Sequence, residues 1–494
     1  MTDMLLAEHT ELLQGLLDTA QGHGAYLIAR IQHVESRSLN VTNGKTEGMI
    51  STLTQGLGLH LFDRAGHTAF ALTDRLQPEA AQRALQSALA GLRASAAAAL
   101  VANPAIFEVD PAQATVVPPT PYALDDLALT TVEADCQAIN AEVRSYGTDL
   151  KVSTSFQTDR ETWRIVRSDG TDVQYVLPHG YVHNTITMHA GDAHTVSSSL
   201  GRTGYEVLRE ERTLCLQRAH KAAELAQGLA SAPRYQAGSY PIIMDYAMAK
   251  GLAHEAFGHA AETDGLRTSI LGRAGRLRRG EQFAAPIVSI IDEPQLGDHA
   301  YQPYSPNGVM RGRATILDHG VLHEGLADVF SAAMACVPII DAARAQSYGS
   351  VPVPRMTNIR IELPDAYPLT GHFEEQTPEL VRQALINAGL LRAGQPVIYL
   401  TGYKGGQVNP ATGDFVFNCT ALYELRVEGI RLFQPSIFSG QALAALEAIR
   451  AGFGPLQLDA IGFCGKAGQS VPSSGGSHYF LYLDAHPAVQ IGGR

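Results

Sequence analysis

The sequence predicts an α+β protein of two domains, and three observations carry that prediction. The 494 residues exceed one ordinary domain and suit two. Residues 1–235 alternate helical periods with strand-like stretches, whereas residues 236–494 read as predominantly antiparallel β with few helices. Between the two, residues 231–238 (SAPRYQAG) have the composition of a boundary loop. At 45% hydrophobic and 17% charged residues, the chain can bury large cores and lacks the composition of a disordered protein.

Each element has a local reason. Leu5, Leu6, Leu12, Leu13, Leu16, Leu17 and Ala20 recur at helical spacing and predict an amphipathic first helix. Asn43-Gly44 and Arg64-Ala65-Gly66, set between alternating stretches, predict hairpin turns. Pro78 stands where a helix begins, and an Ala/Leu-rich run carries that helix to about Leu100. A connector with Pro104, Pro111, Pro118, Pro119 and Pro121 follows. The pattern then recurs, with a helix over 127–144, strands near 152–156 and 162–167, and a Ser168-Asp169-Gly170 turn. Further strands and a helix over 208–229 complete it, so residues 1–101 and 123–229 read as an internal duplication. Past the boundary loop come a strand at 240–244 and a helix over 246–261. The β-rich remainder has turns at Asp318-His319-Gly320, Asn409-Pro410 and Glu428-Gly429, and one helix near 441–450.

Charge and cysteine usage exclude some function classes. The net charge is −12, against the basic surface that a phosphate-tracking nucleic-acid binder or an anionic-membrane anchor needs. Five scattered cysteines without a CxxC pair fit reduced thiols better than a disulfide framework. The first residues carry no basic segment ahead of an apolar one, and no apolar run approaches the ~18 residues of a membrane span. The expectation is a cytoplasmic, soluble protein.

The chemistry concentrates in the helix over 246–261, which contains His254-Glu255-Ala256-Phe257-Gly258-His259. This H-E-x-x-x-H is one residue longer than the H-E-x-x-H of zinc peptidases. On a regular helix an i, i+5 pair stands about 140° apart, too far for both rings to reach one ion. A π-bulge or a helix end between the histidines would bring them together, and Gly258 would ease the strain. Spacing alone leaves open a metal pair or two unrelated histidines. Glu255 would sit beside the metal as a base, or else be a solvated surface residue.

A catalytic zinc takes three protein ligands and an open position. After His259 the chain reads Ala-Ala-Glu-Thr-Asp-Gly, so the third ligand is Glu262, Asp264 or a distant group. The distant candidate is Cys464, flanked by Gly462 and Gly465, with Lys466 nearby to favour thiolate; the plain alternative is a buried inert thiol. Two other groupings, His179, His183, His189 and His194, and His319 with His323-Glu324, supply no convincing set of three ligands. Arg267, Arg273, Arg276, Arg278 and Arg279, just beyond the site helix, offer cations for acidic side chains or a peptide C-terminus, or form a solvated loop. Gly405-Gly406-Gln407 would permit close backbone approach by a peptide adding as a strand, or is a glycine-rich turn.

These segments resemble the TldD/PmbA family, in its metal-bearing TldD-like branch. The likeness rests on His254 to Asp264 (HEAFGHAAETD), Pro354-Arg355-Met356-Thr357-Asn358, Gly405-Gly406-Gln407-Val408 with Gly413-Asp414-Phe415, and Cys464-Gly-Lys-Ala-Gly-Gln-Ser-Val-Pro472. It implies a cytoplasmic zinc metallopeptidase that cleaves small or unfolded peptides, such as precursor peptides or antitoxin-like substrates. It further implies His254, His259 and Cys464 as Zn²⁺ ligands and Glu255 as the catalytic base. The implied partners are a second copy of the chain (a homodimer) or a PmbA/TldE-like subunit (a heterodimer). The alternative the family suggests is a non-catalytic, zinc-containing peptide-binding regulatory subunit. Two stretches depart from the family pattern: Glu262-Thr263-Asp264 replaces Glu-Gly-Asp, and residues 292–308 lack an Asp-Asp-Glu-Gly run.

Overall fold

The computed structural model describes residues 6–100, 109–188 and 194–492. Leu5, Pro104 and His189 of the sequence reading lie outside them. The observed architecture is mixed α+β and mostly sheet, in two large sheets of seven and fourteen strands.

The seven-stranded sheet comes first in the chain. Helix α1 (Thr10–Gly22) leads into a meander of β1 (Tyr26–Thr42), β2 (Lys45–Phe62) and β3 (Thr68–Thr73), closed by α2 (Pro78–Ala97). After a short strand β4 (Gln113–Val116), the same order returns as α3 (Leu129–Arg144), β5 (Leu150–Arg167), β6 (Asp172–Met188), β7 (His194–Arg202) and α4 (Arg212–Leu229). The first strands of the two units, β1 and β5, pair antiparallel from Ile28↔Arg167 to Thr42↔Ser153 and join the units into one sheet. Asn43 and Gly44 both take positive φ at the β1–β2 turn, the backbone that a tight hairpin needs. Each helix pair buries its apolar stripe on its own half: Leu13, Leu16, Leu85 and Leu89 over β1 and β2, and Val132, Ile139, Ala219 and Ala226 over β5 and β6.

The two strands expected near 152–156 and 162–167 are one continuous strand, β5. Its charged middle does not break it, because each charge finds a partner. Arg160 bonds Glu35 on β1 at 2.5 Å, and Glu161 accepts from Gln32 at 2.9 Å and from the Trp163 indole at 3.0 Å.

In the fourteen-stranded sheet most pairings are antiparallel, but three are parallel. Strand β8 (Ile242–Asp245) lies between Val397–Val408 on one side and Gln469–Leu483 on the other. The helix expected near 441–450 is shorter, Ala442–Glu447, because Ile449 already begins a strand. A second helix, Pro378–Asn387, was not anticipated. Its signal was present in Thr377-Pro378: the Thr377 hydroxyl accepts from Leu380 N at 3.3 Å, with proline at the first helical turn. Among the described residues, no helix is long and apolar enough to cross a membrane.

Strand Gln469–Leu483 is what brings distant residues to one place. At its start it forms a hairpin with Gly462–Lys466, pairing Cys464 with Val471 through a turn at Ala467 and Gly468, both at positive φ. Towards its end, Phe480 to Leu483 pair with β8, which feeds directly into the histidine-bearing helix.

Candidate metal centre

The helix after β8 starts from a buried cap. The Asp245 carboxylate accepts from Met248 N at 2.9 Å, from Gly402 N at 2.6 Å and from the Thr401 hydroxyl at 3.0 Å, tying the helix start to strand Val397–Val408. One and a half turns of α-helix (Tyr246–Gly251) give way to a π-helix over Leu252–Gly258 and a 3₁₀ turn over His259–Ala261. The widened turn is what the i, i+5 spacing requires, and it sets the two imidazole centroids 5.1 Å apart at 88°. Gly258 serves a different purpose from the one expected. Its φ of −58° is ordinary right-handed helix, but a Cβ there would stand 2.2 Å from Met356 Sδ and 2.9 Å from Ile359 Cδ1. Gly258→Ala therefore overpacks the helix against Met356. The expected loss is about 1–3 kcal/mol, read as a lower denaturant midpoint at unchanged m-value.

The ligand atoms of His254, His259 and Cys464 all lie within 4.8 Å of one another. His259 Nε2 stands 3.6 Å from Cys464 Sγ. Nitrogen and sulfur ligands on one tetrahedral zinc are expected about 3.6 Å apart from their bond lengths. His254 is buried, and its Nδ1 has no hydrogen-bond partner. Burial first, then the charges of Lys250 and His259, hold His254 well below the usual histidine range, so its ring is neutral and free to donate a lone pair. Two imidazoles and a thiol in this arrangement fit the donor set of a zinc site.

Around these three donors lie groups that orient them. Glu262 is buried, and its carboxylate takes His259 Nδ1 at 3.0 Å, which leaves Nε2 facing Cys464. Glu262, one of the ligand candidates, thus stands behind a histidine, the position from which a carboxylate fixes a ligand's tautomer. Burial opposes a charge on His259, but Glu262 and Cys464 together push it up to about 10, so a metal held here would displace the Nε2 proton. Lys466 does not serve the thiol. It pairs with Glu262 at 2.9 Å and Asp264 at 2.8 Å, because two carboxylates lie within its reach. Arg355 takes the place expected of Lys466: its Nε lies 3.3 Å from Cys464 Sγ, and a second N–H reaches the Cys464 carbonyl. Burial raises the Cys464 thiol, but His259 and Arg355 outweigh it and leave the net shift downward. Glu262→Gln keeps the shape but weakens the acceptor behind His259. Metal affinity should fall by roughly 10–100-fold, measured by competition with a chromogenic chelator.

Glu255 is half-buried, with Oε2 3.9 Å from His259 Nε2. Burial raises its carboxyl, with His259 and Lys250 opposing. Tyr403 donates its hydroxyl proton to Glu255. Tyr403 comes from strand Val397–Val408, where the register shifts between Tyr403 and Gly406. Gly406 allows that bulge, since a Cβ would stand 2.4 Å from the Phe417 ring and 2.5 Å from Val416 O. Gly406 thus serves the bulge in the sheet, while Gly405 has open space where a Cβ would stand. Tyr403 and Arg355 are the site residues that residue-type reasoning missed. Arg355 had a signal, since it belongs to the Pro354–Asn358 motif; Tyr403 had only its place beside two glycines.

A cavity of about 600 Å³ opens on Glu255 and is walled by Lys250, Tyr246, Tyr399, Tyr403, Phe373 and Phe463, among others. None of the five arginines after the helix lines it. Arg273 and Arg278 pair with Glu281 instead, at 3.2 and 2.6 Å. Of the other histidine groupings, His179 is buried against Glu161 and the His299 carbonyl, His183 bonds Ser199, and His323 faces Arg279. Neither grouping forms a three-ligand cluster among the described residues.

Two family models match the chain: PmbA/TldA metallopeptidase C-terminal domain over residues 237–451 and PmbA/TldA metallopeptidase domain 1 over residues 29–92. Together they take in more than half of the 494 residues. The chain belongs to the TldD/PmbA family. The C-terminal match contains His254, Glu255 and His259, while Cys464 lies beyond its end. Among its relatives, a metalloprotease of Archaeoglobus fulgidus is 32% identical over 275 residues, 56% of this chain and 58% of that protein. A zinc metalloprotease TldD homolog of Saccharolobus solfataricus is 30% identical over 250 residues, 49% of this chain and 50% of that protein. The matches thus span little more than half the length of these relatives. The crystal structure of TldE from Thermococcus kodakarensis superposes with a TM-score of 0.74 at 13% identity, covering 98% of this chain and 100% of that one, a likeness of fold.

Proposed function

We propose that this chain is a zinc-dependent peptidase of small or unfolded peptides, with His254, His259 and Cys464 holding the metal and Glu255 as the base. The observation that carries the reading is the meeting of three donor atoms within 4.8 Å beside a carboxylate that faces a peptide-sized cavity. Zinc, when bound, supplies a Lewis acid that activates water and polarises a peptide carbonyl. The chain's own residues do the rest. Glu255, raised by burial, accepts the proton of the attacking water and returns it to the leaving amine. Tyr403 holds the Glu255 carboxylate in place. Glu262 holds His259 in the tautomer that presents Nε2, and Arg355 favours the thiolate of Cys464. Tyr246, Phe373, Tyr399 and Phe463 give the cavity apolar walls that exclude water from a bound peptide.

In this reading residues 1–235 and 236–494 are separate domains, the first an internal duplication of 1–101 and 123–229. The protein works in the cytoplasm as a homodimer or with a TldE-like subunit. Support for the partner is the fold likeness to TldE. The test strips the purified protein of metal, reloads it with zinc, and digests a peptide library with both forms. Cleavage in the reloaded form alone is expected. Equal cleavage in both forms would overturn the assignment, and zinc retention without cleavage would favour a binding subunit.

A further inference from the structure

The cavity beside Glu255 contains a buried cation that the hydrolytic chemistry does not use. Lys250 lines that cavity at 7% exposure. Its ammonium donates to one group, the Ser473 hydroxyl at 3.1 Å. Glu255, Cys464 and Asp298 act on it only through space. Burial pushes this amine down from the usual lysine range, a cost that an anion brought into contact would relieve.

Of the other charged groups of the cavity wall, Arg218, Asp245 and Lys221 have close partners, and Glu224 stands exposed beside His220. Arg218 pairs with Glu374 and with Asp459, each at 2.8 Å. Asp245 is saturated by the backbone and hydroxyl donors at the helix start. Lys221 donates to the carbonyls of Phe373 and Gln376. Those acids are therefore not available to Lys250. Space at its ammonium is kept open by Gly462, where a Cβ would stand 3.3 Å from Nζ.

We propose that Lys250 receives a carboxylate of the bound peptide and so sets a preference for substrates that carry one close to the scissile bond. The proposal rests on the peptidase reading, since the anionic groups of a peptide are its C-terminus and its Asp and Glu side chains. Lys250 precedes Glu255 by five residues on the same helix and lines the same cavity, which places the carboxylate next to the reacting carbonyl. The five arginines beyond the helix, which the sequence alone suggested for this role, lie off the cavity.

The test measures equilibrium binding by calorimetry to zinc-loaded protein carrying Glu255→Gln, which separates binding from turnover. Three peptides of one apolar sequence are used: a free C-terminal acid, its amide, and the amide with one internal Glu. Adding Lys250→Met should weaken binding of a carboxylate-bearing peptide by about tenfold or more and leave the plain amide unchanged. Which of the two acidic peptides is affected identifies the source of the carboxylate. Lys250→Gln replaces Lys250→Met if the methionine protein does not fold by circular dichroism. Equal affinities with and without Lys250 for all three peptides overturn the proposal, as does the absence of any binding to the Lys250 protein. Cleavage of the same peptides by wild type reports on the peptidase reading separately, because binding and turnover are read on different proteins.

Discussion

Glu255→Gln is expected to lower peptide turnover by roughly 10²–10⁴-fold while leaving one zinc per chain. The side chain keeps its size, and the glutamine oxygen still accepts from Tyr403, so the cavity keeps its shape. What is lost is a group able to take a proton within reach of the proposed metal ligands, 3.9 Å from His259 Nε2. Elemental analysis beside a fluorogenic peptide assay separates the two quantities. Turnover within about threefold of wild type in zinc-loaded Glu255→Gln protein would end the role assigned to this carboxylate.

Cys464→Ala should abolish stoichiometric zinc and turnover together, and it should also cost stability. Arg355 is fully buried, and the thiol is one of its few partners. Removing the sulfur leaves part of a buried guanidinium without an acceptor, worth about 1–3 kcal/mol. Cys464→Ser separates the two effects. A hydroxyl still accepts from Arg355, so most of the stability should return, but a neutral serine is a far poorer zinc ligand than a thiolate. Denaturant melts and zinc content on both variants check this. Full zinc occupancy in Cys464→Ala would show that the sulfur is not a ligand.

Much of this site was legible in the residues themselves. The five-residue step from His254 to His259 cannot serve one ion on a regular helix, and the chain meets that constraint with a π-helix. Cys464 could be singled out by its glycine neighbours. Roles that depend on direction were not legible. Lys466 lies two residues from Cys464, yet turns to Glu262 and Asp264, while the cation on the thiol arrives from Arg355, 109 residues away in sequence. Gly258 looked like a site of backbone freedom and is instead a site of close approach by Met356. Of the Gly405-Gly406 pair, Gly406 answers to Phe417 of the adjacent strand, while Gly405 keeps open space beside it. In each case the partner is remote in sequence, and composition does not say which remote group fills a given space.

By itself, the sequence determined the α+β character, the hairpins at Asn43-Gly44 and Ser168-Asp169-Gly170, the run of helices in the first half, and the need for a distorted turn at the histidines. These follow from φ preferences and from periods of 2 and 3.6 residues, which act over a few positions. Only the tertiary structure decided that His259 and Cys464, 205 residues apart, face each other at 3.6 Å, and that Tyr403 and Lys250 share a cavity with Glu255. One strand, Gln469–Leu483, holds the cysteine hairpin near its start and β8 near its end. Its position depends on burying side chains from across the chain, a balance among many weak contacts that no local window of residues contains.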